Sequence, residues 1–422
     1  MGLGLSTYVL IDFVEKIGNT IPVLELILLL MCAQWVIGPY VDYNAPVQHY
    51  RYHMYVSEER YMDLIVPSLI LFFLPTYYCS SKINYVQAIK RIEAMDGNRL
   101  PLLLVVAGFV SELLVRIAPG SIGFVFYLMN GFKFIGVFLL FYTQSRIKWR
   151  AFAVVFFFEL IVVIRAGVFH ELLVWGVWAF IFISIQYKTS FLKKIMILLM
   201  GFLMMMVLQF AKADYRKKIW FEGYRGNKLS LFIEIFADQF TNILEGKNEL
   251  QQIDKDDASV NSRLNQGWII SKIMDNIPSK TPYFEGETVK DAVYSSIMPR
   301  FLDDSKLVGG GGKLTFKKLT GLHLTSQTSM GVSVLGEAYG NFGVEGAYVF
   351  MFLWGLFLSM FIKYIFNKST LIYSLPLWLP IIFLQVVKAE TDMFTVFNHL
   401  VKSTIFVVAT LYVIRKTFKI NL

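Results

Sequence analysis

HLTSQTSMGVSVLGEAYGNFGVEGAYVFMFLWGLFL, residues 323–358, passes from a Thr/Ser/Gln-rich stretch into an undoubted apolar run. Glu337, Tyr339 and Asn341 stand among glycines just before that run begins. Polar groups buried there without partners are costly, so these side chains need either partners or a ligand. Glycines 336, 340, 343 and 346 also suit a close helix-packing face. That reading explains the glycines and leaves Glu337 and Asn341 unexplained.

Working outward, apolar runs long enough to cross about 30 Å of hydrocarbon recur along the chain. Ten are expected, at 21–41, 62–80, 100–118, 122–142, 151–165, 168–186, 194–211, 343–362, 371–388 and 397–414. Of the 422 residues, 56% are hydrophobic and only 17% charged, and the mean hydropathy is +0.54. A string of soluble domains is excluded on those grounds. The two cysteines, Cys32 and Cys79, both lie in apolar runs. That rules out a disulfide scaffold and, with no cysteine in an external loop, an outward-facing thiol nucleophile. The net charge of +9 reads as cytoplasmic loops, and nucleic acid is not an expected partner.

Basic residues near span ends stay on the cytoplasmic side. The groups Lys82/Lys90/Arg91/Arg99, Arg146/Lys148/Arg150, Lys188/Lys193/Lys194, Lys363/Lys368 and Arg415/Lys416/Lys419 alternate correctly with ten spans. Both termini are then cytoplasmic. The other side receives the loop around 42–61, the tight turns near 119 and 166–170, the loop near 389–396 and a hydrophilic segment from 212 to 342. The stretch before Ile21 reads as an interfacial or peripheral helix, with a cleaved signal as the alternative. The expected organisation is a bundle over 1–211, an external segment over 212–342 and a second bundle over 343–422.

Within the external segment, the spacing of Leu231, Ile235, Phe236, Phe240 and Ile243 predicts an amphipathic helix over 230–252. Arg263 and Asn265 fall near the start of another helix. Glycines 309–312 predict a loop without regular structure. They do not form a phosphate-binding loop, because Lys313 is followed by Leu314 where Ser or Thr is needed.

Four arginines are candidates to gather at the external mouth: Arg116 and Arg165 at span ends, Arg263 and Arg300 in the long segment. IRAGVFHELL puts Arg165, His170 and Glu171 into one tight turn at membrane depth, where ionisable residues are functional candidates. An Arg fork matches phosphate oxygens, and a lipid pyrophosphate is the phosphate most available there. MPRFLDDSK, residues 298–306, adds Lys306 beside two acids.

GEAYGNFGVEG followed by an apolar span resembles the signature of bacterial oligosaccharide repeat-unit polymerases, the Wzy-type O-antigen and exopolysaccharide polymerases. RLNQG and the stretch through EGETVKDAVYSSIMPRFL resemble the same family's external loop, so the likeness covers about residues 260–350. It implies an all-α polytopic membrane protein of about ten transmembrane helices, GT-C-like, in the bacterial cytoplasmic (inner) membrane. The implied activity is a glycosyltransferase acting on undecaprenyl-pyrophosphate-linked oligosaccharide. Membrane lipids and a chain-length regulator protein are its implied partners. In that reading Arg165, Arg263 and Arg300 stabilise the leaving pyrophosphate, and His323 or Glu337 takes the acceptor proton, with His323 favoured. His170, Tyr339, Asn341, Arg116 and Lys306 contact pyrophosphate or glycan. No cofactor or metal is expected, because arginines activate such a donor and no His/Asp/Cys ligand cluster is evident. An O-antigen ligase-type enzyme and a lipid-linked oligosaccharide flippase are the competing functions. The long external segment argues against the flippase.

Overall fold

The computed structural model describes residues 1–46, 48, 52–80, 85–93, 97–166, 170–245, 264–298, 302–303, 312–324 and 330–418. Among them every regular element is a helix, and the one extended pairing is an isolated bridge between Ile17 and Thr20. Six helical segments among the described residues are long and apolar enough to cross a membrane: Val23–Tyr43, Glu58–Tyr78, Ile122–Tyr142, Phe191–Leu208, Val334–Lys368 and Met393–Thr417. The chain is therefore an all-helical, multi-pass membrane protein.

These six coincide with expected runs. Three further runs are helical but weaker as spans. Arg99–Val115 has 17 residues, Lys148–Ala166 carries Lys148, Arg150, Glu159 and Arg165, and Glu171–Tyr187 is short.

The run 371–388 corrects the expectation of a continuous helix. It folds as a 3-10 turn, Leu375–Trp378, a short helix, Leu379–Phe383, and turns. Pro376 and Pro380 each remove a backbone donor, which favours such breaks. The segment nevertheless returns along the whole of the long helix Val334–Lys368. It leaves from Lys368, and its Glu390 carbonyl accepts from the Ser333 amide at 3.2 Å, beside the long helix's first turn. Irregular backbone at membrane depth is tolerated where protein buries it, and residues 374–384 are all buried. The final helix, Met393–Phe418, supplies donors to buried backbone carbonyls of the break. His399 Nε2 donates to Ile381 O at 2.9 Å and Ser403 Oγ to Ile382 O at 3.3 Å. His399→Leu should therefore cost about 1–3 kcal/mol by leaving a buried carbonyl unsatisfied. A melting curve of the purified protein in detergent reads this loss, and an unchanged melt would show that the carbonyl has another partner.

Two compact units emerge from the contacts. The first joins Met1–Phe13, Pro22–Arg91 and Asn261–Leu422, and the second joins Val14–Ile21 and Ile92–Val260. In the first, helix Glu58–Ser80 packs along the long helix. The loop before it is tied to helix Gly267–Asn276, whose Ser271 hydroxyl accepts from the amides of Tyr55 (2.6 Å) and Val56 (3.1 Å). In the second, helix Lys228–Leu244 covers the described part of the amphipathic helix expected over 230–252, and residues 246–252 lie outside the described residues. The helix buries Leu231, Phe232 and Ile235 against Tyr215, Ala211 and Val163.

Candidate functional site

The long helix begins with a cap. Ser333 Oγ accepts from the Gly336 amide at 3.0 Å, which satisfies one of the helix's orphan donors. One turn later Glu337 points inward and is 1% exposed. Its carboxylate ties three segments together. Oε1 accepts from the Thr288 hydroxyl at 2.6 Å, on helix Glu287–Ile297, and Oε2 accepts from the Met393 amide at 2.8 Å, where the final helix starts. The Thr288 hydroxyl in turn accepts from Asn341 Nδ2 at 2.8 Å, and the same Nδ2 donates to the Glu337 carbonyl at 2.7 Å. Asn341 is 1% exposed, and its Oδ1 is buried without a hydrogen-bond partner.

The segment before Thr288 fastens to the same turns. Tyr339 OH donates to Ile277 O at 3.1 Å, the Phe284 amide to Gly340 O at 3.1 Å and the Glu285 amide to Asn341 O at 3.0 Å. Those last two bonds use carbonyls that the helix gives up where it breaks. The break is at Gly343, with φ 69° and ψ −165°, beneath the Tyr283 ring. Only glycine adopts that conformation cheaply. Gly343→Ala should cost about 1–3 kcal/mol and loosen the knot around Glu337. Proteolysis within 277–288 should report the loosening, and resistance equal to wild type would refute it.

Flanking the knot, Asp275 bonds Lys272 at 2.8 Å and Lys280 at 3.0 Å. The hydrogen bond from Lys272 is the largest influence holding the Asp275 carboxyl below its ordinary range. Asn265, fully buried, accepts from the Trp268 amide at 3.1 Å and so caps the helix that follows it.

Of the residues singled out in the sequence, Glu337, Tyr339 and Asn341 are brought together here. His323 is exposed, in the loop after helix Gly312–Thr320. That helix begins on the last of the four glycines. Arg116 is exposed, just past helix Arg99–Val115 in the second unit. Arg165 lies in the last turn of helix Lys148–Ala166 and His170 opens helix His170–Tyr187, but both side chains fall outside the described residues. Arg263, Arg300 and Lys306 lie outside them altogether.

Sequence reasoning missed Thr288 and the Met393 amide, which stand 49 and 56 residues from Glu337. It also missed a second buried polar group, in the second unit. Lys133, fully buried, pairs with Glu112 at 2.5 Å and Glu159 at 2.6 Å, and the rings of Phe109, Phe134 and Phe158 surround its ammonium. Gly108 permits this arrangement, since a Cβ there would come within 2.4 Å of the Lys133 backbone nitrogen. A signal was present, because each of the three charges interrupts an apolar run. Nearby, Glu171 accepts from the Tyr127 hydroxyl at 2.9 Å.

No protein-family model, curated protein or solved structure matches the chain.

Proposed function

We propose that the protein polymerises undecaprenyl-pyrophosphate-linked oligosaccharide repeat units into a surface polysaccharide. The transfer takes place on the external face of the bacterial cytoplasmic membrane, in a GT-C-like fold of about ten spans with both termini cytoplasmic. One observation carries this reading. Two stretches that resemble repeat-unit polymerases, 336–346 and the described part 264–298 of the external-loop stretch, are hydrogen-bonded into a single piece through Tyr339, Gly340, Asn341 and Glu337. Parts of one catalytic apparatus would be expected to interlock in this way.

In the reaction, an acceptor sugar hydroxyl attacks the anomeric carbon of the donor glycan, and the bond from that carbon to the pyrophosphate oxygen breaks. The departing pyrophosphate carries the negative charge, which Arg165, Arg263 and Arg300 stabilise. His323, exposed in its loop, accepts the hydroxyl proton. Glu337, with both oxygens occupied, acts as a positioning residue that holds helix Glu287–Ile297 and the final helix in register.

A flippase for the same lipid-linked glycan is the second reading, and the buried Glu112–Lys133–Glu159 triad favours it, since ionisable groups at membrane depth often serve transport. The glycan profile of a strain lacking the gene separates the two. Surface lipid bearing a single repeat unit is the polymerase result. Loss of all surface glycan would overturn the polymerase reading in favour of a flippase or ligase.

A further inference from the structure

The long helix and the final helix start together, where the Met393 amide meets Glu337, and both end in basic turns. Near those ends they leave a furrow of about 320 Å³, within the range of roughly 300–1,000 Å³ typical of ligand sites. Phe361, Ile365 and Lys368 form a stripe along one wall, and Val408, Leu411 and Arg415 a stripe along the other. The broken span supplies the floor.

Both walls belong to helices long and apolar enough to cross a membrane, and hydrocarbon is the surrounding expected for an open apolar trough between two such helices. Its apolar lining is open, with Val408 60% and Tyr412 65% exposed. The described charged side chains of the lining are Lys368 and Arg415, which sit at the same end, and no carboxylate joins them. A helix dipole accounts for a cation in each last turn. It does not account for both cations lining one apolar trough. Lys368 also lies over the Tyr364 ring at 5.4 Å, and the same end carries Arg91, which donates to the Thr370 carbonyl. Aromatic and basic side chains grouped like this mark the headgroup level of a bilayer.

We propose that this furrow holds one anionic phospholipid drawn from the surrounding bilayer. Its acyl chain fills the trough and its phosphate sits between Lys368 and Arg415. A zwitterionic lipid fits less well, because its own cation would find no described acidic partner in the lining. The site is independent of the polymerase reading, and neither His323 nor the Glu337 knot contributes to it.

The test uses the full chain purified in a mild detergent and titrated separately with dioleoyl phosphatidylglycerol, dioleoyl phosphatidylcholine and inorganic phosphate. Native mass spectrometry counts retained lipid, and a melting curve reads the stabilisation. One phosphatidylglycerol should be retained and should raise the melting temperature, while phosphatidylcholine and phosphate should do neither. Each basic residue near an anionic headgroup is worth about fivefold in affinity, so Lys368→Gln with Arg415→Gln should weaken phosphatidylglycerol binding about 25-fold. Val408→Trp, which fills the trough and leaves both cations, should abolish retention, and it decides the matter should the double variant fail to fold. Equal retention of phosphatidylcholine, stabilisation by phosphate alone, or undiminished binding by Val408→Trp would overturn the proposal.

Discussion

Replacing Lys133 by methionine should destabilise the protein by about 3–5 kcal/mol, the usual cost of leaving buried charge without its partner. The ammonium is fully buried between Glu112 and Glu159, and methionine would leave two carboxylates facing each other among phenylalanine rings. Glu159→Gln is predicted to be much milder, because Lys133 and Glu112 remain as a balanced pair. The triple change Glu112→Gln, Lys133→Met and Glu159→Gln should recover most of the loss, since uncharged side chains of similar size often replace buried ion clusters at little cost. Melting curves in detergent suffice to rank the variants. Equal losses for Lys133→Met and Glu159→Gln would mean that packing volume, and not charge balance, governs the site.

On the polymerase reading, His323→Ala should lower polymerisation about 10²- to 10⁴-fold, the usual contribution of a proton-transfer residue. Because His323 is exposed, its removal should leave the melting curve where it was. Glu337 should behave differently. Glu337→Ala strands the Thr288 hydroxyl and the Met393 amide, each costing about 1–3 kcal/mol, so activity and stability should fall together. Glu337→Gln retains an acceptor for one of them and should keep more of both. Purified carrier-linked repeat unit and the reconstituted protein provide the assay. An active His323→Ala beside a stable but inactive Glu337→Gln would transfer the proton to Glu337.

What the sequence could and could not disclose follows from the range of each signal. Hydropathy located the apolar runs because membrane-crossing length is a local property. It did not show the breaks in 371–388, because the part buried by protein, 374–384, is as apolar as a helix facing lipid. Pro376 and Pro380 were the visible warning. The polar residues Glu337, Tyr339 and Asn341 stood out because their apolar surroundings made them costly. Their partners did not stand out, since Thr288 lies in an ordinary amphipathic helix and the Met393 contribution is a backbone amide, which no side-chain pattern can encode. The Glu112–Lys133–Glu159 group was legible one charge at a time. What could not be read was that the three charges, on three helices, meet at one point.

The broken span has a bearing on how the protein is made. A complete helix satisfies its own backbone and can leave the insertion machinery as soon as it is synthesised. Residues 371–392 lack that autonomy, because two of their carbonyls depend on His399 and Ser403, which emerge later from the ribosome. Polar backbone groups left open in hydrocarbon are costly, so this segment cannot settle in lipid alone. Its entry should therefore be coupled to that of the final helix. A nascent chain halted before residue 399 would thus hold its last apolar stretch in an unfinished state.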